Sequence, residues 1–387
     1  MRVLIVVQRY GGDVVGGAEG HARVVAERLA LRHTVEIATT TALDYWTWAP
    51  HFAAGTSTID GLLVHRFPVE AGRSPEFKAF ETKVQGLDHT LADELEWPRV
   101  QGPHVPALYE FLQRRSARYD VIVFYTYIYA PTVLGLPIVP GKAVLISTAH
   151  DEMVLGLAPY RALFHLPRAI GYLTPEERAL VHRRFRNEEV PDVVLGLGMD
   201  PPSAGDGAAF RARQRIDGPL VAYLGQVTAG KGCDELITDW SAYRDSGGAG
   251  TLVLAGNPGS PALPVPDRAD IRALGRVSDA EKADLLDAAD ALVLPSHFES
   301  LGIVLLEAWQ AGTPVLVPAW NAVTAGQVRR SSGGRTYASH DDFAGELRAL
   351  LADAPARGDA GRRWVTEECA WDAFDDRLET LLELVHA

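Results

Sequence analysis

Two successions of short apolar runs, each run followed by a segment with helical spacing, set the narrowest limits on how this chain can fold. In the first succession the runs are residues 3–7, 35–39, 62–67, 121–125, 143–147, 170–173 and 193–197. Residues 19–31 carry Ala22, Val25, Ala26 and Leu29 at helical spacing, and 107–115 also reads as helix. Thr174-Pro175-Glu176-Glu177 opens another helix, with Thr at the cap, Pro in the first turn and Glu three residues on. Residues 198–209, rich in Pro, Gly, Ser and Asp, read as a linker. The pattern then restarts, with strand runs at 220–224, 252–255, 271–274, 291–294 and 315–317 and helices at 233–243, 280–289 and 301–311.

Strand–helix alternation of this kind means parallel sheets covered by helices on both faces. The expected fold class is therefore α/β, two doubly wound Rossmann-like domains facing across a cleft. Their boundaries are 1–200 and 201–370. A length of 387 residues suits two or three domains. Ligands of such sheets bind at the carboxyl ends of the strands.

Composition removes several alternatives. An apolar fraction of 47% with 22% charged residues excludes a disordered or fibrous chain. A net charge of −13 argues against a nucleic-acid binder. The two cysteines, Cys233 and Cys369, exclude a disulfide framework and a four-Cys zinc site and fit a reducing cytoplasm. The N-terminal apolar run is too short for a signal peptide, and no stretch is long enough to span a bilayer. The expected location is cytoplasmic. Peripheral contact with the inner face of the membrane stays open through the first domain, where Arg114-Arg115-Arg118 and Arg178, Arg183, Arg184 and Arg186 cluster. Such clusters also serve as solvated helix faces. The predominance of Arg over Lys, with the abundance of Ala, fits a GC-rich bacterial gene.

Three segments carry chemistry. Gly11 to Glu19, with Gly16-Gly17-Ala18-Glu19, follows the first strand and opens the first helix. Glycines there let a ligand approach the backbone, and a helix N-terminus offers N–H groups to an anion; a plain glycine-rich turn is the alternative. Gly225 to Gly232 has the same position in the second domain and places Lys231 between two glycines, suited to a diphosphate or to solvent. His297 to Ala308 brings two carboxylates, Glu299 and Glu307, around a helix start, with Ser300, Leu301, Gly302 and Ile303 offering backbone N–H groups. Glu307 interrupts an apolar helix, where a carboxylate is costly unless paired or bound to hydroxyls; Glu299 can also act as a cap.

With these motifs in order, the chain resembles a family 4 glycosyltransferase (group 1 type, GT-B fold). The resemblance rests on Gly-Gly-Ala-Glu at 16–19, Gly-x5-Lys-Gly at 225–232, Leu274-Gly275-Arg276-Val277, Glu-x7-Glu at 299–307, Gly312-Thr313-Pro314-Val315 and Ala370-Trp371-Asp372. It implies retaining transfer from a UDP- or GDP-linked sugar to a sugar, lipid-linked or small-molecule acceptor, in polysaccharide, glycolipid or glycosylated natural-product synthesis. It requires no metal and no cofactor beyond the donor. Glu307 would hold the ribose hydroxyls, Glu299 the donor sugar's hydroxyls, and Lys231 the leaving diphosphate. Gly16, Gly17 and the backbone of 300–303 would meet phosphate or sugar, and the backbone at Arg276-Val277 the base. His150, in Ala149-His150-Asp151, matches the family's active-site histidine region. A C-terminal helix, about 371–387, would pack back on the first domain.

One position departs from the family: Gln226 stands where it usually has Arg, which puts a second cation on the diphosphate in doubt. A glycoside hydrolase using Glu299 and Glu307 leaves Lys231 and the glycine loops without a role. A non-catalytic nucleotide-sugar-binding subunit would make Gln226 a trace of decay. The acceptor surface is expected around 44–48 and 101–109 in the first domain. The pairs Asp341-Asp342 and Asp375-Asp376 read as solvated helix faces.

Overall fold

The structure, a computed structural model, describes residues 1–14, 16–259 and 262–386. Val15, within the glycine-rich loop, and Ala387, at the end of the expected C-terminal helix, lie outside the described residues. The chain divides into two compact units, Met1–Gly198 with the segment from Asp372 onward, and Met199–Trp371.

The first unit holds β1 (Arg2–Val6), β2 (Thr34–Thr40), β3 (Gly55–Ile59), β4 (Leu62–Phe67), β5 (Val121–Tyr125), β6 (Ala143–Ile146), β7 (Ala169–Tyr172) and β8 (Asp192–Val194). Their order in the sheet is β3-β4-β2-β1-β5-β6-β7-β8. Val3, Leu4, Ile5 and Val6 of β1 are all fully buried, as a strand covered by helices on both faces must be. Only β3 runs antiparallel to its neighbour. It is a polar, exposed edge strand joined to β4 by Asp60-Gly61, both with positive φ. That dipeptide is a strong hairpin signal, and the reading by apolar runs passes over it because Thr56-Ser57-Thr58 contains no such run.

The second unit holds β9 (Leu220–Leu224), β10 (Thr251–Ala255), β11 (Ile271–Gly275), β12 (Ala291–Val293), β13 (Val315–Pro318) and β14 (Gly334–Tyr337), in the order β11-β10-β9-β12-β13-β14. The pairings are parallel. The linker segment ends earlier than its composition suggests. A helix starts at Gly207, with the Asp206 carboxylate accepting the Ala209 N–H at 2.8 Å.

The helix Trp371–Glu383 buries Phe374, Leu378, Leu381 and Leu382. Leu381 lies so close to Gly171 of β7 that a Cβ there would come within 2.9 Å of it. Asp375 departs from the expectation of a solvated pair. It is buried, and its carboxylate takes both Nε and Nη2 of Arg28 from the first helix, Gly17–Ala30. A carboxylate on the buried face of an amphipathic helix survives because that guanidinium meets it. Asp376, Asp341 and Asp342 are exposed.

Candidate functional site

In the second unit the candidate residues fall in the loops at the carboxyl ends of the strands. Gln226 and Lys231 follow β9, Arg276 and Val277 follow β11, and 299–303 follow β12. The loop after β9 turns through Gly232 at φ 73°, where a Cβ would stand 2.6 Å from the Pro295 carbonyl oxygen of the loop after β12. Glycine there lets the two loops touch. Lys231 then reaches across, and its Nζ meets Glu299 Oε1 at 2.8 Å.

The second carboxylate has a lysine of its own. Lys282, on the helix Asp279–Ala288, donates to Glu307 Oε1 at 2.8 Å. Burial disfavours the charge on Lys282, but the carboxylates of Glu307 and, at 3.6 Å, Asp279 outweigh it, and its pKa lies above the ordinary lysine value. Lysine is scarce in this chain, at positions 78, 83, 142, 231 and 282, and two of the five pair with the carboxylates of Glu-x7-Glu. Glu299 and Glu307 are about four-fifths buried, and each is held in place by its lysine.

The helices Cys233–Asp245 and Ile303–Ala311 begin behind Gly232 and Gly302, both left-handed, and neither has a side-chain cap. Four other helices of this unit are capped by Asp206, Ser278, Asn321 or Ser339, while Ala354–Glu368 starts without a side-chain cap but with Pro355 in its first turn. Uncapped N–H groups beside a lysine suit an anion. The loop leading to Gly302 is held from below: Gln327 donates to the Leu301 carbonyl at 2.6 Å and Asn321 to the Ser296 carbonyl at 2.8 Å. His297 meets Glu235 at 2.8 Å. Gln226 is exposed, and its side chain makes no hydrogen bond among the described residues. Its carbonyl accepts the Tyr223 hydroxyl at 2.7 Å.

In the first unit Gly16 precedes the helix Gly17–Ala30, again without a side-chain cap. Glu19 is buried and binds Gln8 Nε2 at 2.8 Å and Arg9 Nη2 at 2.7 Å. A Cβ on Gly16 would lie 2.1 Å from Glu19 Oε2, so glycine is what allows the carboxylate to close the loop after β1.

His150 lies in the loop after β6, about one-third exposed, with Nδ1 3.5 Å from Glu152 Oε1. Tyr127 donates to the same oxygen at 2.7 Å. Burial raises the Glu152 pKa, but the bonds from His150 and Tyr127 and the His150 charge prevail and hold it below the ordinary value. Beneath the loop Glu177 is fully buried. Its carboxylate takes the Ser147 hydroxyl at 2.5 Å and the N–H groups of Ala149 and Leu173 at 2.6 Å each. Desolvation pushes its pKa up to about 7 against those bonds. The Glu anticipated three residues after the Thr174 cap therefore ties the His150 loop to the end of β7.

The expected acceptor surface is divided. Trp46 is 60% exposed and stacks on Tyr45, whereas Trp48 is fully buried and donates to the Gln101 carbonyl at 2.9 Å. Sequence reasoning passed over Lys282, Asn321, Gln327, Glu152 and Glu177. Among these only Glu177 carried a local signal, its place three residues after Thr174. Among the described residues no helix is long and apolar enough to cross a membrane, and no three His, Cys, Asp or Glu side chains group as metal ligands.

Residues 218–353 match the family model of group 1 glycosyl transferases. The D-inositol 3-phosphate glycosyltransferase of Nocardia farcinica is 30% identical over 271 residues, which cover 65% of this chain and 59% of that protein. Sucrose-phosphate synthase of Thermosynechococcus elongatus superposes with a TM-score of 0.73 at 18% identity, covering 100% of this chain and 99% of that one. HepE of Anabaena, solved with UDP-glucose, gives 0.71 at 13% identity and covers 99% of each chain. The order of strands in the two sheets and these superpositions give the chain the GT-B fold, and residues 218–353 of its second unit are similar to group 1 glycosyl transferases.

Proposed function

We propose that the chain is a retaining glycosyltransferase, moving a sugar from a UDP- or GDP-linked donor to a hydroxyl acceptor without a metal ion. The observation that carries this reading is the pair of largely buried carboxylates, each on its own lysine, at the carboxyl edge of a parallel sheet beside uncapped helix starts. Glu307 would take the ribose hydroxyls, Glu299 the hydroxyls of the donor sugar, and Arg276-Val277 the base. Lys231 would exchange Glu299 for the diphosphate, with the N–H groups behind Gly302 as further donors. In the transfer the bond from the anomeric carbon to the phosphate oxygen breaks. The acceptor oxygen bonds the same face, and its proton passes to the departing phosphate. Positive charge fixed in advance at the leaving group lowers that barrier, and a held acceptor removes the cost of encounter. Gly16, Gly17 and His150 would serve the sugar and phosphate from the first unit.

The UDP-glucose complex of HepE makes UDP-glucose the first donor to try. A cytoplasmic protein, with at most peripheral membrane contact, is the setting in which such donors are available. The test is thermal unfolding with UDP, GDP and ADP and their sugars, followed by proton spectroscopy of the product. A nucleotide that binds the folded chain raises its midpoint. An α-linked donor should give an α-linked product, with turnover indifferent to a chelator. No stabilisation by any nucleotide would remove the reading, and a β-linked product would remove retention.

The exposed, unbonded Gln226 favours a second reading, a subunit that binds nucleotide sugars without turnover. Gln226→Arg separates the two. On a vacant cation site Arg should tighten nucleoside diphosphate binding by about 1–2 kcal/mol at low salt. Turnover gained only in the variant would favour the decayed subunit; turnover in both proteins favours the enzyme.

A further inference from the structure

A cavity of about 390 Å³ opens within the first unit, its wall including Trp46, Arg73, Lys78, Glu81, Gln101 and Glu152. Its walls join an aromatic platform to polar groups, the mixture that holds hydroxylated rings. Phe77 and Lys78 come from the helix Phe77–Gln85 and Gln101 from the helix Leu91–Gln101.

Arg73 is the charge of this cavity that no polar side chain among the described residues meets directly. Its backbone is fixed, donating to the Thr47 carbonyl at 3.1 Å, while Ser74 donates to the Val100 carbonyl at 3.1 Å. Its guanidinium lies 4.4 Å from the centroid of the Phe77 ring. Yet among the described residues the guanidinium has no hydrogen bond and no carboxylate at ion-pair distance, Glu81 and Asp44 acting on it only from farther away, and its Nε is buried without a partner. Burial pulls its pKa below the ordinary arginine value, so the charge is held at a cost. The other charges of the wall are answered: Lys78 by Glu81 at 2.6 Å, and Glu152 by Tyr127 and His150. Gln101 is 6% exposed, and its side-chain oxygen is likewise buried without a partner. Buried polar atoms are seldom left so.

We propose that this cavity seats an acceptor whose hydroxylated ring carries an anionic group, a phosphate ester or a carboxylate, and that Arg73 binds that group; the assignment as acceptor rests on the glycosyltransferase reading. A planar guanidinium fits either oxyanion through paired N–H groups. The exposed Trp46 ring offers a stacking face, and Gln101 meets a hydroxyl. Glu152 borders the cavity and also meets His150, so a ring bound here is placed beside the histidine.

The test is calorimetric titration of the full chain with D-glucose 6-phosphate, D-glucuronate and D-glucose at low salt, for wild type and Arg73→Met. At least one anionic probe should bind about tenfold or more tightly than glucose, and Arg73→Met should abolish that advantage. An advantage confined to the phosphate assigns a phosphate ester, and one confined to glucuronate a carboxylate. No advantage for either anion, no binding of either, or an advantage that survives in Arg73→Met overturns the proposal. Should the variant fail to fold, salt decides on the wild type: the advantage must shrink as ionic strength rises, and a salt-indifferent preference overturns it. UDP binding is measured in parallel. If no nucleotide binds while the Arg73-dependent preference holds, the glycosyltransferase reading fails and the anionic site stands.

Discussion

At the residue scale, the two carboxylates of Glu-x7-Glu differ in what they are placed to do. Glu307 sits on the second turn of its helix against Lys282, whereas Glu299 sits in the loop against Lys231. On the proposed reading Glu307 contacts the nucleotide whether or not a sugar is attached. Glu307→Ala should therefore weaken binding of the free nucleoside diphosphate by about 1.5–3 kcal/mol, the range for a lost charged hydrogen bond. Calorimetry on the folded variant checks it, and an unchanged dissociation constant would remove the ribose role. His150 should behave differently. It lies in the loop after β6, in the other unit from the carboxylates. An interaction made mainly in the transition state lowers turnover and spares ground-state binding. His150→Ala should cut kcat far more than donor affinity; transfer and donor hydrolysis both at wild-type rates would take His150 away from the reacting sugar.

At the scale of elements, the loop after β6 depends on Glu177, which stands at the start of the helix Pro175–Phe185 and holds Ser147 and Ala149. Its pKa is raised from the ordinary carboxylate value to about 7 by burial. The folded state thus binds a proton that the unfolded chain has released between about pH 4.5 and 7. Where the folded state binds more protons, stability falls as pH rises. The contribution is complete below about pH 4.5 and gone above about pH 7, a swing on the order of 3 kcal/mol. Glu177→Gln should be less stable at low pH, since an amide cannot accept all three donors, and should lack this decline. Denaturant unfolding of both proteins across the range checks the difference in slope; parallel profiles would show that Glu177 does not titrate there.

The same loop shows what sequence could reveal. The strand runs and Glu-x7-Glu were legible because each is a pattern of near neighbours, set by the periods of strand and helix. Glu177 to Ser147, Lys282 to Glu307 and Gln327 to Leu301 span 30, 25 and 26 residues and join elements that start from different strands. No local period encodes those meetings; packing makes them. The helices that wall the Arg73 cavity escaped for other reasons: Phe77–Gln85 does place Phe77, Phe80 and Val84 at helical spacing but is only nine residues long, and Leu91–Gln101 holds Pro98 and spreads its apolar residues around the helix.

At the scale of the whole molecule, the chain returns to its beginning. The helix Trp371–Glu383 places Leu381 against Gly171 of β7, Asp375 on Arg28, and Glu379 on His33 at 3.0 Å. The first unit is thus closed by residues that follow the whole of the second in sequence, so its stability should be separable from that of the second unit. Leu381 is fully buried, and Leu381→Ala removes its packing and leaves a cavity, at a cost of about 2–5 kcal/mol. The amides of β1, β5 and β7 should then exchange faster with solvent, while those of β9, β12 and β13 keep their protection, because a region opens locally where its own packing has been weakened. Added nucleoside diphosphate should still slow exchange around Gly302 in the variant. Amide exchange read strand by strand checks both statements. If β9 and β13 lose protection together with β1, the two units unfold as one cooperative body, and the C-terminal helix supports the whole chain and not the first unit alone.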